Sequence, residues 1–314
     1  MRGPRSETHS VHYLGRVKLD EMFQKGKSTS KHLDKIQNHL DGLGSVPDPG
    51  KIYIDNTLHD YARAWDDYCE TMKTADFKVD GHRPRTLKEA ALFMPEYIEL
   101  IKKRPGNKPG TTYSAWTIRA YFSGCAKVLG LSASDYNLPI RRRVDITRSR
   151  GAAKRDKHFS EKNNAELITF CKCTGLRNQS ELQKITGDCL VVDDDGNYAI
   201  RVIGKGKKER ISKIIGTDEQ INQVVRRIMA AGENKVWPHV PSCADIHGYR
   251  ACYAQALYAM LARDPKEIPE SERYCCRKDQ RGKWYDRKAV LEVSKQLGHS
   301  RTNVVVEHYL SQEV

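Results

Sequence analysis

Between Pro139 and Phe159 the chain reads PIRRRVDITRSRGAAKRDKHF, and this run constrains the architecture more than any other feature. Eight basic residues stand between Arg141 and Lys157 against two aspartates, a composition that solvates rather than packs. It reads as a linker over 141–157, with domains expected at 50–140 and 158–314 and a polar, partly helical segment at 1–49. A length of 314 residues suits two domains and supports hydrophobic cores without disulfides.

The two sides of the linker differ in pattern. From Thr57 to Met72, Leu58, Tyr61, Trp65, Tyr68, Cys69 and Met72 recur at steps of three and four, the period of an amphipathic helix. Thr86 to Lys103 repeats it, with Pro95 expected to kink the helix or start a new one. Ser114 to Leu129 gives a third. Beyond the linker, helices are expected at Glu161–Thr174, ended by Gly175, and near Asn178–Thr186. CLVVDDD and NYAIRVIGKGKKERISKII then read as a small antiparallel sheet whose turn, Gly204 to Lys208, is basic. From Asp218 the chain is mostly helical, interrupted by DPKEIPESERYCCRKDQRGKWYDRK. The fold class expected is mainly α with a small antiparallel β-sheet (α+β).

Charge narrows the partners. Lys and Arg number 54 against 40 Asp and Glu, a net charge of +14, which points to a polyanion because counterion release favours any dense phosphate array. No apolar run reaches the ~18 residues of a spanning helix, and MRGPRSETHSVHYLGRVK lacks the apolar core of a signal peptide, so a cytoplasmic location without membrane partners is expected. The linker's Arg141, Arg142, Arg143, Arg148, Arg150, Lys154 and Arg155 then become candidates for tracking DNA phosphates. Nine scattered cysteines fit reduced thiols; Cys171, Cys189 and Cys252 read as buried small side chains. The pairs Cys171/Cys173 and Cys275/Cys276 lack the spacing of a zinc site, and no metal or other cofactor is expected.

Four stretches carry possible chemistry: TGLRNQSEL (174–182), VIGKGKKER (202–210), DIHGYR (245–250) and LGHSRTNVVVEHY (297–309). Singly, Arg177 suits a helix cap, Lys205 a turn, His247 a satisfied core histidine and Tyr309 a packing residue. Together, in this order, they resemble the tyrosine recombinases, the integrase family of phage and conjugative elements, across the whole second half of the chain. The resemblance implies a helical core-binding domain followed by a tyrosine-recombinase catalytic domain. It implies catalytic roles for Arg177, Lys205, His247, Arg250, His299 and Tyr309, with Glu181 supporting the first arginine.

The residue types suit that chemistry. Attack on a phosphodiester builds charge on its nonbridging oxygens, and arginine offers a permanently charged fork matched to them. Tyr309 is the expected nucleophile, carried on a late helix that can swing toward the phosphate. His247 is the expected base or phosphate-positioning group, and His299 the donor of a hydrogen bond to the phosphate. By the resemblance, Lys205 protonates the departing 5′ oxygen. His308 is read as structural or phosphate-proximal.

The chain departs from the family pattern in three places. Tyr249 stands where a leucine commonly precedes the second arginine; 49 residues separate Arg250 from His299, the excess falling in the charged insertion; and the first 45 residues are short and polar for an arm-binding domain. Trp284 and the insertion's basic residues suit contact with DNA or a neighbouring subunit, and suit a solvated insert equally. The function expected is site-specific recombination through a covalent 3′-phosphotyrosyl intermediate, for integration and excision of a mobile element. Expected partners are double-stranded DNA with inverted-repeat core sites, a homotetramer on two duplexes, and an excisionase or host DNA-bending protein. Two alternatives stand: a type IB topoisomerase, or a DNA-binding regulator without chemistry.

Overall fold

The computed structural model describes residues 9–26, 29–106, 109–142, 145, 159–204, 209–277, 280–299 and 301–310. Arg143, Arg148, Arg150, Lys154, Arg155 and Lys205 lie outside them. The chain is mainly α with small antiparallel sheets, and it divides into two units, Met1–Thr147 and Arg148–Val314.

The first unit contains α1 (Val11–Met22), α2 (Lys31–Leu40), α3 (Asp55–Thr74), α4 (Leu87–Ala91), α5 (Met94–Lys102) and α6 (Ala115–Leu129). The three- and four-residue spacing in α3 puts Ala62, Trp65, Tyr68 and Met72 on one buried face. Buried aromatics need partners for their polar ends. Tyr68 donates to the Ala90 carbonyl at 2.6 Å, and Tyr97 to Asp67, which also receives Arg104. Pro95 occupies the first turn of α5, where its missing N–H leaves no bond unmade, so the expected long helix becomes two. The polar N-terminal segment takes part in this core: Val11 and Leu19 of α1 are buried, and the Trp65 indole donates to the His12 carbonyl at 3.0 Å.

The second unit runs α7 (Ala165–Thr174), β1 (Leu190–Val192), β2 (Tyr198–Ile203), β3 (Glu209–Lys213), α8 (Asp218–Ala231), α9 (Ile246–Leu261), β4 (Arg273–Cys275), β5 (Trp284–Asp286), α10 (Arg287–Gln296) and α11 (Thr302–Val305). Strands β1, β2 and β3 form the expected antiparallel sheet in the order of the chain. Where a helix near Asn178–Thr186 was expected there is one wide turn, Asn178–Leu182, which brings the adjacent Glu181 and Leu182 both inside. Cys171, Cys173 and Cys189 are buried, and burial pushes the first two thiols up to about 12 and about 11; Cys252, expected inside, is only half-buried.

The charged insertion is not a plain interruption. Within it, Arg273–Cys275 and Trp284–Asp286 pair as the β4–β5 hairpin, with Arg273 opposite Asp286 and Cys275 opposite Trp284. The buried Asp286 accepts from Arg263 at 2.8 Å and caps α10 through the Lys288 N–H. Arg273 lies over the Trp284 ring, 4.3 Å from its centroid. Strands of three residues are too short to show an alternation, which is why the pairing is not legible in the sequence.

Candidate active site

Gly175 ends α7 in the left-handed region, with φ of +61°. A β-carbon there would lie 2.4 Å from the Tyr253 ring, so both backbone conformation and space require glycine. The chain then extends through Leu176, which is fully buried, and releases Arg177 toward the surface.

Glu181 organises the charges around it. Its side chain is fully buried. One carboxylate oxygen accepts Arg177 Nη1 at 2.6 Å and Arg210 Nη1 at 2.8 Å; the other accepts Arg210 Nη2 at 2.9 Å and the Arg177 backbone N–H at 2.8 Å. Arg250 Nη1 stands 3.9 Å away. Burial opposes ionisation, but the bonds and charge of Arg210, the Arg177 N–H and the Arg250 charge prevail and hold the carboxyl down at about 2. Three guanidiniums against one carboxylate leave an excess of two positive charges, a standing field for a second anion.

Arg250, on the second turn of α9, is buried to 2% exposure. Its guanidinium donates to the carbonyls of Gly175 and Leu297, its Nε lies 3.2 Å from the Tyr309 hydroxyl, and its Nη2 lies 3.4 Å from His299 Nε2. Arg177 Nη2 reaches the same Leu297 carbonyl at 3.0 Å. The two arginines therefore converge on the turn after α10, where Gly298 takes φ of +66°.

Tyr309 sits on a wide turn, Val306–Leu310, that continues α11. Val305 and Val306 are buried and anchor it, and Gln255 donates to the Tyr309 carbonyl at 3.1 Å. The tyrosine ring lies 5.2 Å from the ring of His247, an exposed residue in the first turn of α9, and 5.7 Å from that of His299. His308 is exposed. Burial, then the charges of Arg250, Arg177 and Arg210, push His299 down to about 4, so its imidazole is neutral near pH 7. Arginine can only donate, so a bond from Arg250 to His299 Nε2 requires the tautomer whose proton rests on Nδ1. A bond from His299 to a phosphate would then come from Nδ1.

Five of the six sequence-predicted catalytic residues thus meet in one cluster: Arg177, His247, Arg250, His299 and Tyr309, with Glu181 beneath them. Tyr249, on the face of α9 turned to the core, is buried among apolar side chains. In the first unit, Arg141 and Arg142 are exposed, and Arg141 lies 4.8 Å over the Trp116 ring. Among the described residues no group of His, Cys, Asp or Glu converges as a metal site, and no helix is long and apolar enough to cross a membrane.

Solved structures similar to this chain include two of one protein. Both are of the XerH site-specific recombinase, one bound to palindromic difH substrate in a post-cleavage complex, the other bound to difH substrate in a pre-cleavage complex. The first is 13% identical, with 95% of this chain and 90% of that one covered and a TM-score of 0.47; the second is 14% identical, with 98% and 95% covered and a TM-score of 0.48. No family model matches the chain, and no curated protein does. Likeness at this level assigns no role to any side chain, so the chemistry rests on the cluster itself.

Arg210 is the member that sequence reading missed. It lies opposite Val202, on the buried face of the β2–β3 pair, and its side chain is only 10% exposed. A basic residue falling on an inward strand position was the available signal, legible only once the register is known.

Proposed function

We propose that the chain is a site-specific DNA recombinase that cuts and rejoins strands through a covalent phosphotyrosyl intermediate. The observation that carries the reading is the Tyr309 hydroxyl held 3.2 Å from the Nε of Arg250 of the same chain, inside a cluster that also brings Arg177, His299 and His247 together. A scissile phosphate seated against the two guanidiniums would present phosphorus to that hydroxyl.

The step balances without an external energy source. The Tyr309 oxygen bonds to phosphorus, the bond to the 5′ oxygen breaks, and the phenol proton passes to a base, for which His247 is the candidate. The 5′ oxygen takes a proton, by family resemblance from Lys205. One phosphodiester replaces another, so the reverse attack by a 5′ hydroxyl reseals DNA. Integration and excision of a mobile element, and assembly of four protomers on two duplexes, belong to the same reading.

The test uses a duplex recovered from a random pool by binding to the Tyr309→Phe chain, then nicked beside the exchange position so that cleavage traps the protein. The unsubstituted chain should form a denaturation-resistant adduct, and Tyr309→Phe should bind equally and form none. Adduct from Tyr309→Phe places the nucleophile elsewhere. No adduct from either chain leaves a DNA-binding regulator, and relaxation of a supercoiled plasmid lacking the site identifies a topoisomerase.

A further inference from the structure

We propose that Arg210 is a positioning residue, one that keeps Arg177 turned toward the phosphate by occupying the carboxylate that would otherwise claim it. This rests on the recombinase reading and deepens it.

Arg210 is engaged within the protein. Its fork takes both oxygens of Glu181 at 2.8 and 2.9 Å, and its Nε donates to the Gln296 carbonyl at 2.8 Å. Arg177 is held differently. One nitrogen meets Glu181, another meets the Leu297 and Gly298 carbonyls, and its side chain stays 26% exposed. A carboxylate and a guanidinium prefer a two-point pairing. With Arg210 in place both Glu181 oxygens are engaged, so Arg177 is left a single side-chain bond. Without Arg210, Arg177 is free to close that fork itself and withdraw its outer nitrogen from the substrate side.

The same side chain shapes the turn behind α10. Gly298 takes φ of +66°, and a β-carbon there would also lie 3.1 Å from Arg210 Cδ and 3.3 Å from its Nη1, so a larger residue would strain the turn and push Arg210 aside by a few tenths of an ångström. That turn supplies the Leu297 carbonyl shared by Arg177 and Arg250, and leads directly into His299. Arg210 therefore ties strand β3, Glu181 and the turn into one frame without facing the substrate.

The experiment measures single-turnover adduct formation on the nicked duplex, with duplex affinity measured separately, for Arg210→Lys and Arg210→Gln, alone and combined with Arg177→Lys. Lysine keeps the charge but has no fork. Misplacement of a phosphate-binding group costs on the order of 10- to 100-fold in rate, so Arg210→Lys should slow cleavage by at least about 10-fold while affinity stays within about twofold. In the Arg177→Lys background the further substitution should add little, because its effect passes through Arg177. Full-rate cleavage by Arg210→Lys, or losses that multiply in the double variant, would overturn the proposal. Failure of the unsubstituted chain to form adduct would instead sink the recombinase reading on which it stands. Should Arg210→Gln fail to fold, Arg210→Lys decides alone.

Discussion

A single carboxylate, that of Glu181, meets three guanidiniums with its side chain closed to solvent, so its loss leaves buried charge uncompensated in the second unit. Removing one partner of a buried ionic set leaves the others uncompensated, so Glu181→Gln should destabilise that unit by about 3 kcal/mol near pH 7 in urea unfolding. The direction of the shift sets the pH dependence. The folded carboxyl titrates at about 2, below its ordinary 4.5, so its contribution is complete above about pH 4.5 and is lost as pH falls toward 2. The gap between the two proteins should therefore narrow in acid. A gap that stays constant from pH 7 down to pH 2 would show that the carboxylate's charge is not what Glu181 contributes. These effects belong to one side chain, and TGLRNQSEL already contained it.

Helix α10 depends on the inserted hairpin. Asp286 closes β5, caps α10 and receives the Arg263 guanidinium, which also meets Glu272 at 2.5 Å. The Arg263 bonds hold the Asp286 carboxyl well below its ordinary range. Asp286→Ala removes a helix cap and a buried ionic partner together, for which about 3 kcal/mol is the expected cost by chemical denaturation. Because α10 leads into the Leu297–His299 turn, adduct formation should fall as well. Unchanged stability would mean that the hairpin is only draped on the unit. The sequence showed the insertion's length and charge but not its pairing, since three-residue strands are stabilised by what they pack against rather than by their own pattern.

Across the whole chain the net charge of +14 predicts binding dominated by phosphate contacts. The logarithm of affinity should fall steeply and linearly with the logarithm of salt concentration, and exchanging Arg141 and Arg142 for glutamine should flatten the slope by about 0.9 for each phosphate no longer neutralised. A slope that does not change removes those two residues from the interface. Division into two units is likewise a property of the chain as a whole, and the periodicity of α3 already marks the buried face of the first unit's core.

What the sequence determined alone was the order of helices, the small sheet, the basic surface, and the residue types that bear on phosphate chemistry: two arginines, two histidines and a tyrosine at recognisable places. These are local or compositional properties, readable from spacing and side-chain type. Only the tertiary structure decided that Arg250 would be buried against Tyr309, that the His299 imidazole would be pushed down by burial and three arginines, and that Arg210 would close the fork on Glu181. Those outcomes depend on strand register and on contacts between residues as much as 121 positions apart, where desolvation and the geometry of several charges at once set the result.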